Sequence, residues 1–119
     1  MGNINSKKKG AHGELEFANL CKKYGFDNVH RTAQFNGKTE DSLGDCEGLE
    51  GIHVEVKRVE SLNLDKAMEQ AIRDTEVKKE HKIPIVFHRK NRKPWKATML
   101  FDDWIKLYRS WLKDKDKEI

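Results

Sequence analysis

Asp45, Glu55 and Lys57 are the side chains of this sequence whose types and spacing could do chemistry. Ile52, Val54 and Val56 alternate with His53, Glu55 and Lys57. This is the period-two pattern of a half-buried β-strand. Residues two apart on a strand share a face, so Glu55 and Lys57 stand side by side, with Val56 turned toward the core. Asp45 and Glu47 lie on a short extended stretch just before, and a turn over residues 48–51 folds one stretch back on the other. Asp45 then falls opposite Val54 or Glu55, and two carboxylates and an ammonium meet at one spot on a sheet surface. Two such oxygen ligands can hold Mg²⁺ while leaving positions for water and a phosphate. The ion acidifies the water and screens the phosphodiester charge, and Lys57 can position the water or stabilise developing charge. The same spacing also fits a solvated Glu–Lys pair on an exposed strand face, which contributes little energy.

The elements that must position these residues can be read in order. Residues 1–9 read as a flexible basic arm bearing Lys7, Lys8 and Lys9. Met1-Gly2-Asn3-Ile4-Asn5-Ser6 also fits the myristoylation pattern, but a basic arm is the simpler account. Residues 10–24 read as a helix, with Phe17, Leu20, Cys21 and Tyr24 on one face and Gly25 as its C-terminal stop. Glu14 and Glu16 lie in its early turns, where acids complement the helix dipole. Residues 27–32 fit a first strand. Residues 34–43 read as a loop built on Asn36-Gly37, from which Arg31 and Lys38 could reach a phosphate. After the hairpin, residues 62–80 read as a second helix with Leu64, Ala67, Met68, Ala71 and Thr75 as its buried stripe. Gln70 borders that stripe; it could reach the carboxylates or be an ordinary surface residue.

Residues 83–88 form an apolar run suited to a buried strand, and residues 95–100 read as another. Between them, His88-Arg89-Lys90-Asn91-Arg92-Lys93 is a dense basic turn. With Trp95 at its base it could grip a nucleic-acid backbone and stack on a base, or be a solvated turn above a core Trp. A last helix over residues 101–112 carries Phe101, Trp104, Ile105, Tyr108, Trp111 and Leu112 on one side. Such a stripe is usually core; if it exceeds what the sheet can cover, it marks a dimer contact. Residues 113–119 read as a frayed tail. The expected domain is therefore 10–112, a single α/β (α+β) unit with a mixed central sheet flanked by helices.

Composition sets the outer limits. A chain of 119 residues is long enough for one domain with one core. A net charge of +4, with the cations clustered, fits a polyanionic partner. Cys21 and Cys46 are the only cysteines and have no zinc-ligand spacing. Two thiols without a disulfide pattern suit a reducing cytoplasm. No apolar run approaches a membrane span, so no membrane partner is expected.

The order of a helix with Glu14, Asp45 on a short strand, Glu55-Val56-Lys57 on the next strand and a further helix resembles the PD-(D/E)xK nuclease superfamily. Within it, the chain looks most like archaeal-type Holliday junction resolvases and their phage relatives. Lys9-Gly10-Ala11-His12-Gly13-Glu14-Leu15-Glu16, ending at Tyr24-Gly25-Phe26, is similar to that group's first helix, and Ile83-Pro84-Ile85 to its later core strand. The resemblance covers about residues 9–100 and implies a restriction-endonuclease-like core. It implies that Glu14, Asp45, Glu55 and the Val56 carbonyl are metal ligands, that Lys57 is the catalytic lysine and that Gln70 is an accessory polar residue. Two positions depart from the family pattern. Gly44 stands in place of the proline of the family name, and Leu15 where the resolvases often carry Arg.

The expectation that follows is a Mg²⁺-dependent endonuclease, with Mn²⁺ able to substitute, acting on branched DNA as a homodimer. Lys7, Lys8, Lys9, Arg31, Lys38, Arg58, Arg89, Lys90, Arg92 and Lys93 would contact the DNA backbone. The alternatives are a non-catalytic nucleic-acid-binding protein on the same scaffold, or a nuclease acting on flap, nicked or duplex DNA.

Overall fold

The computed structural model describes residues 2–33, 44–78 and 81–117, with the backbone alone for residues 2–9 and 78. Helix α1 (Gly2–Lys23) is followed by strands β1 (His30–Arg31), β2 (Cys46–Glu47) and β3 (Ile52–Arg58). Helix α2 (Leu64–Lys78), strands β4 (Ile83–Arg89) and β5 (Lys96–Met99) and helix α3 (Phe101–Lys117) complete the order. Among the described residues the strands form one sheet in the order β1-β2-β3-β4-β5. β3 and β4 run parallel, and every other neighbouring pair is antiparallel. The fold is thus α+β with a mixed sheet and flanking helices, as expected. The α2 crossover is what allows two consecutive strands to run parallel.

Two apolar faces hold the sheet. On one, Phe17 and Ala18 of α1 pack with Val29, Cys46, Val54 and Val56, and Phe87 and Trp95 close the edge. On the other, Ala67, Met68 and Ala71 of α2 cover Val86. Because side chains alternate along β3, Val54 and Val56 face α1 while His53, Glu55 and Lys57 share the opposite face.

Local signals set the helix ends. Asn63 Oδ1 accepts the Lys66 amide at 3.1 Å, capping α2. At the end of α1, Gly25 adopts φ +96°. Its amide reaches the Lys22 carbonyl at 3.0 Å, and the Phe26 amide reaches Cys21 at 3.1 Å. These two bonds satisfy carbonyls that the last turn would leave orphaned.

The first strand is shorter than expected, His30–Arg31 rather than 27–32, and two helix boundaries differ most from expectation. α1 begins at Gly2, so the helical backbone includes the segment read as an arm. α3 runs to Lys117 rather than ending at Leu112. Both extensions are mostly polar and contain no proline, with the only glycine at the outermost position Gly2, so a helix already formed propagates into them at little cost.

Candidate active site

The chain brings Asp45 to Glu55 through an unusual use of β2. The Asp45 amide donates to the Val54 carbonyl at 2.7 Å, and its carbonyl accepts the Thr32 amide at 3.0 Å. Its side chain then takes over from the ladder, with Oδ2 accepting the Val56 amide at 2.8 Å. Gly44 makes this approach possible. A Cβ there would lie 2.5 Å from the Val54 carbonyl oxygen and 2.9 Å from its nitrogen. Any residue with a Cβ, proline included, would clash with the β3 backbone there.

The electrostatics record how crowded the spot is. Burial is the main cause that pushes the Asp45 carboxyl up to about 7. The Glu55 carboxylate adds to this and Glu14 contributes further, while the Val56 amide and the Lys57 ammonium pull the other way. In an extended strand a residue's N–H and C=O point to the same side, so the Val56 carbonyl also faces the Asp45 side of β3. Cys46, the next residue, reports the same field. Its buried thiol is pushed up to about 12, first by burial and then by the Glu14 and Asp45 carboxylates.

Glu14 is set over β2 by close packing of α1. Gly13 sits where a Cβ would come within 2.5 Å of the Arg58 Cβ, so only a glycine lets this turn close on β3. The Cys46 thiol makes a weak 3.6 Å bond to the Glu14 carbonyl. The Glu14 carboxylate itself turns to Arg31, whose Nε donates to Oε2 at 2.8 Å.

Glu55 faces α2 and is almost fully buried. His53 Nε2 lies 3.0 Å from Glu55 Oε1 and 4.0 Å from Asp74 Oδ2. Among the described residues, His53, Glu55 and Asp74 are the one set of three metal-ligating side chains whose donor atoms lie within 4.8 Å of one another. Glu14, Asp45 and Glu55 do not form such a set; Asp45 is held by the Val56 amide and feels the charges of Glu55, Glu14 and Lys57. Gln70 is exposed on α2 and makes no hydrogen bond to these groups. Sequence reasoning passed over His53 and Asp74. His53 shares the polar face of β3 with Glu55, and Asp74 follows Ala67 and Ala71 at helical spacing, so both could have been placed here.

The basic residues divide into two groups. Arg31, expected at a phosphate, is held by Glu14. Arg58 donates to Glu16 at 3.2 Å and to Asn91 at 2.8 Å, and Arg89 donates to Glu16 and to the Lys93 carbonyl. Burial alone would raise the Glu16 carboxyl, but the Arg89 hydrogen bond and the charges of Arg58 and Arg89 outweigh it and hold it below its ordinary value. These three arginines neutralise acids on α1 that would otherwise be partly buried without a cation. Lys90, Arg92 and Lys93 stay exposed on the β4–β5 turn. Trp95 packs on Phe17 with ring centroids 5.6 Å apart, so it belongs to the core rather than to a stacking platform. Lys38 and the side chains of Lys7, Lys8 and Lys9 lie outside the described residues.

Among the described residues no helix is long and apolar enough to cross a membrane. Compared with known protein families, the sequence matches no family model, and no curated protein is similar enough to count as a relative.

Proposed function

We propose that this chain is a Mg²⁺-dependent DNA endonuclease of the PD-(D/E)xK kind, acting on branched DNA such as a four-way junction, in the cytoplasm and as a pair of identical chains. The observation that carries the reading is the half-buried Asp45 carboxylate, held by the Val56 amide at 2.8 Å next to Glu55 on β3. Burial first, and then the Glu55 charge, raise this carboxyl, an environment that a cation would relieve. The donors are hard oxygens, which suits Mg²⁺ or Mn²⁺. Asp45, Glu55 and the Val56 carbonyl would hold the ion. When bound, it would supply charge neutralisation at the phosphate and a more acidic water.

The chain's own residues account for the rest. The Val56 amide fixes the Asp45 carboxylate in one orientation. His53 fixes one oxygen of Glu55. Lys57 shares the Glu55 face and lies close enough to Asp45 to stabilise its anion. It is the group placed to orient an attacking water and to offset charge building on phosphorus. Lys90, Arg92 and Lys93 give the phosphate backbone an exposed cationic turn, and the free thiols Cys21 and Cys46 support a reducing compartment.

A second reading, a binding protein without activity, draws on a different observation. Glu14 is already satisfied by Arg31, and Glu55 by His53. One experiment separates the two. The protein is incubated with a four-way junction and with matched plain duplex, with and without Mg²⁺. The expected result is Mg²⁺-dependent cutting of the junction, reduced about 10²–10³-fold in Lys57→Ala and Glu55→Ala, with junction binding retained. Full activity in either variant would falsify the site assignment. Salt-sensitive binding with no product at any metal concentration would favour the second reading.

A further inference from the structure

α3 ends the described chain with its apolar face uncovered. None of its residues is buried. Phe101, Trp104, Leu107, Tyr108, Trp111 and Leu112 are between 38% and 70% exposed. With Ile105 they fall within an arc of roughly 160° at 3.6 residues per turn, the width of a stripe that normally faces a core. The aromatic rings form a continuous ladder. Centroids lie 5.8 Å apart for Phe101–Trp104, 5.2 Å for Trp104–Tyr108 and 5.7 Å for Tyr108–Trp111, and Lys115 Nζ sits 5.2 Å over the last ring.

We propose that this face is the seam of a homodimer in which α3 packs antiparallel against α3 of a second copy. The inference rests on the two-chain part of the reading above and not on DNA cleavage. Three observations commit the occupant to a second copy. First, positions 101, 104, 108, 111 and 115 repeat at spacings of three and four, the a/d pattern of paired helices, with Phe101 and Lys115 each seven residues from Tyr108. A two-fold axis at Tyr108 sets Trp104 near the partner's Trp111 and Phe101 near the partner's Lys115, so the surface is complementary to itself.

Second, the charges select the direction. Asp102 and Asp103 make the first half of α3 net negative, whereas Arg109, Lys113, Lys115 and Lys117 outnumber Asp114 and Asp116 in the second half. Antiparallel packing sets opposite halves together and opposes the helix dipoles, while parallel packing would stack like on like. Third, the area is sufficient. With aromatic side chains offering 150–250 Å² each, the exposed fractions amount to roughly 600–700 Å² per copy, close to the ~800 Å² per partner of a standard interface.

Sedimentation velocity over a concentration series reads the association directly. The wild-type chain is expected to sediment as a dimer of the 13.9 kDa protomer. Tyr108→Lys, which places two like charges on the two-fold axis, is expected to sediment as a monomer with unchanged far-UV circular dichroism. Direction is read by disulfide trapping in a Cys21→Ser background. Tyr108→Cys is expected to cross-link to its own copy, and Phe101→Cys alone is not. A wild-type monomer at all concentrations overturns the proposal. So does Trp quenching by single-stranded DNA in a monomeric protein, which would make the ladder a base-stacking surface. Self-cross-linking at Phe101→Cys overturns the antiparallel direction. A dimer untouched by Tyr108→Lys overturns the seam but leaves a two-chain nuclease standing, because association is scored without reference to cleavage.

Discussion

β3 holds ionisable side chains where a sheet usually holds aliphatic ones, and α3 holds aromatic side chains where a surface helix usually holds polar ones. His53 and Glu55 are buried at the centre of the sheet, each the other's partner at 3.0 Å. Trp104, Tyr108 and Trp111 stand about half exposed, and among the described residues their ring contacts run along their own helix. Burying a charge and exposing a large apolar face both cost free energy. The costs point to different remedies. On β3 the shortage is of positive charge, which a cation supplies. On α3 the shortage is of apolar contact, which another apolar helix supplies. The difference is why the proposed chemistry belongs to β3 and the proposed assembly to α3.

The contrast can be broken most sharply at Asp45. Its carboxyl has an ordinary value of 3.8 and is raised to about 7 in the folded chain. Between those values the folded state holds a proton that the unfolded chain has released. In metal-free protein, stability should therefore fall as pH rises from about 4 to 7 and level off above that window. Asp45→Asn should flatten this dependence and raise stability at pH 8 by on the order of 3–4 kcal/mol, while removing Mg²⁺-dependent cutting. Urea unfolding in EDTA across the window measures it. A wild-type profile that rises with pH would show that Asp45 is not crowded.

His53→Ala tests the other half of the β3 description. It leaves the buried Glu55 carboxylate without its ring partner and should cost about 1–3 kcal/mol in the urea midpoint. An unchanged midpoint would mean that the pair does not support the sheet. The smallest effect belongs to α3. At concentrations low enough for single chains, Trp111→Ala should leave stability within about 0.5 kcal/mol, because the ring covers no core. A larger loss would mean that α3 leans on the body of the protein.

Legibility followed the range of the interactions. The strand from Ile52 and the stripe of Ala67, Met68 and Ala71 are local patterns that the structure repeats, but β3 is buried on both faces rather than half-buried, because α2 covers the His53 and Glu55 side. The turn over residues 48–51 returns β2 onto β3 with Cys46 opposite Val54, the neighbourhood expected for Asp45. What sequence could not rank is competition among distant partners. Arg31, Arg58 and Arg89 are cations suited to phosphate until Glu14 and Glu16 are seen to hold them. The stripe of α3 was equally visible, but periodicity reports that a face is apolar and not whether anything covers it. The Glu14 carboxylate illustrates the same limit, since its place on the first helix is a local pattern and its pairing with Arg31 is not.

Glu16 has a consequence for the order in which the chain can assemble. Its carboxylate ties the first helix to Arg58 and Arg89, partners 42 and 73 residues downstream. During synthesis α1 emerges well before the surface it must settle on, which is complete only once Phe87 and Trp95 have followed. The first helix is thus made early and locked late, and until then Phe17 waits without its pocket.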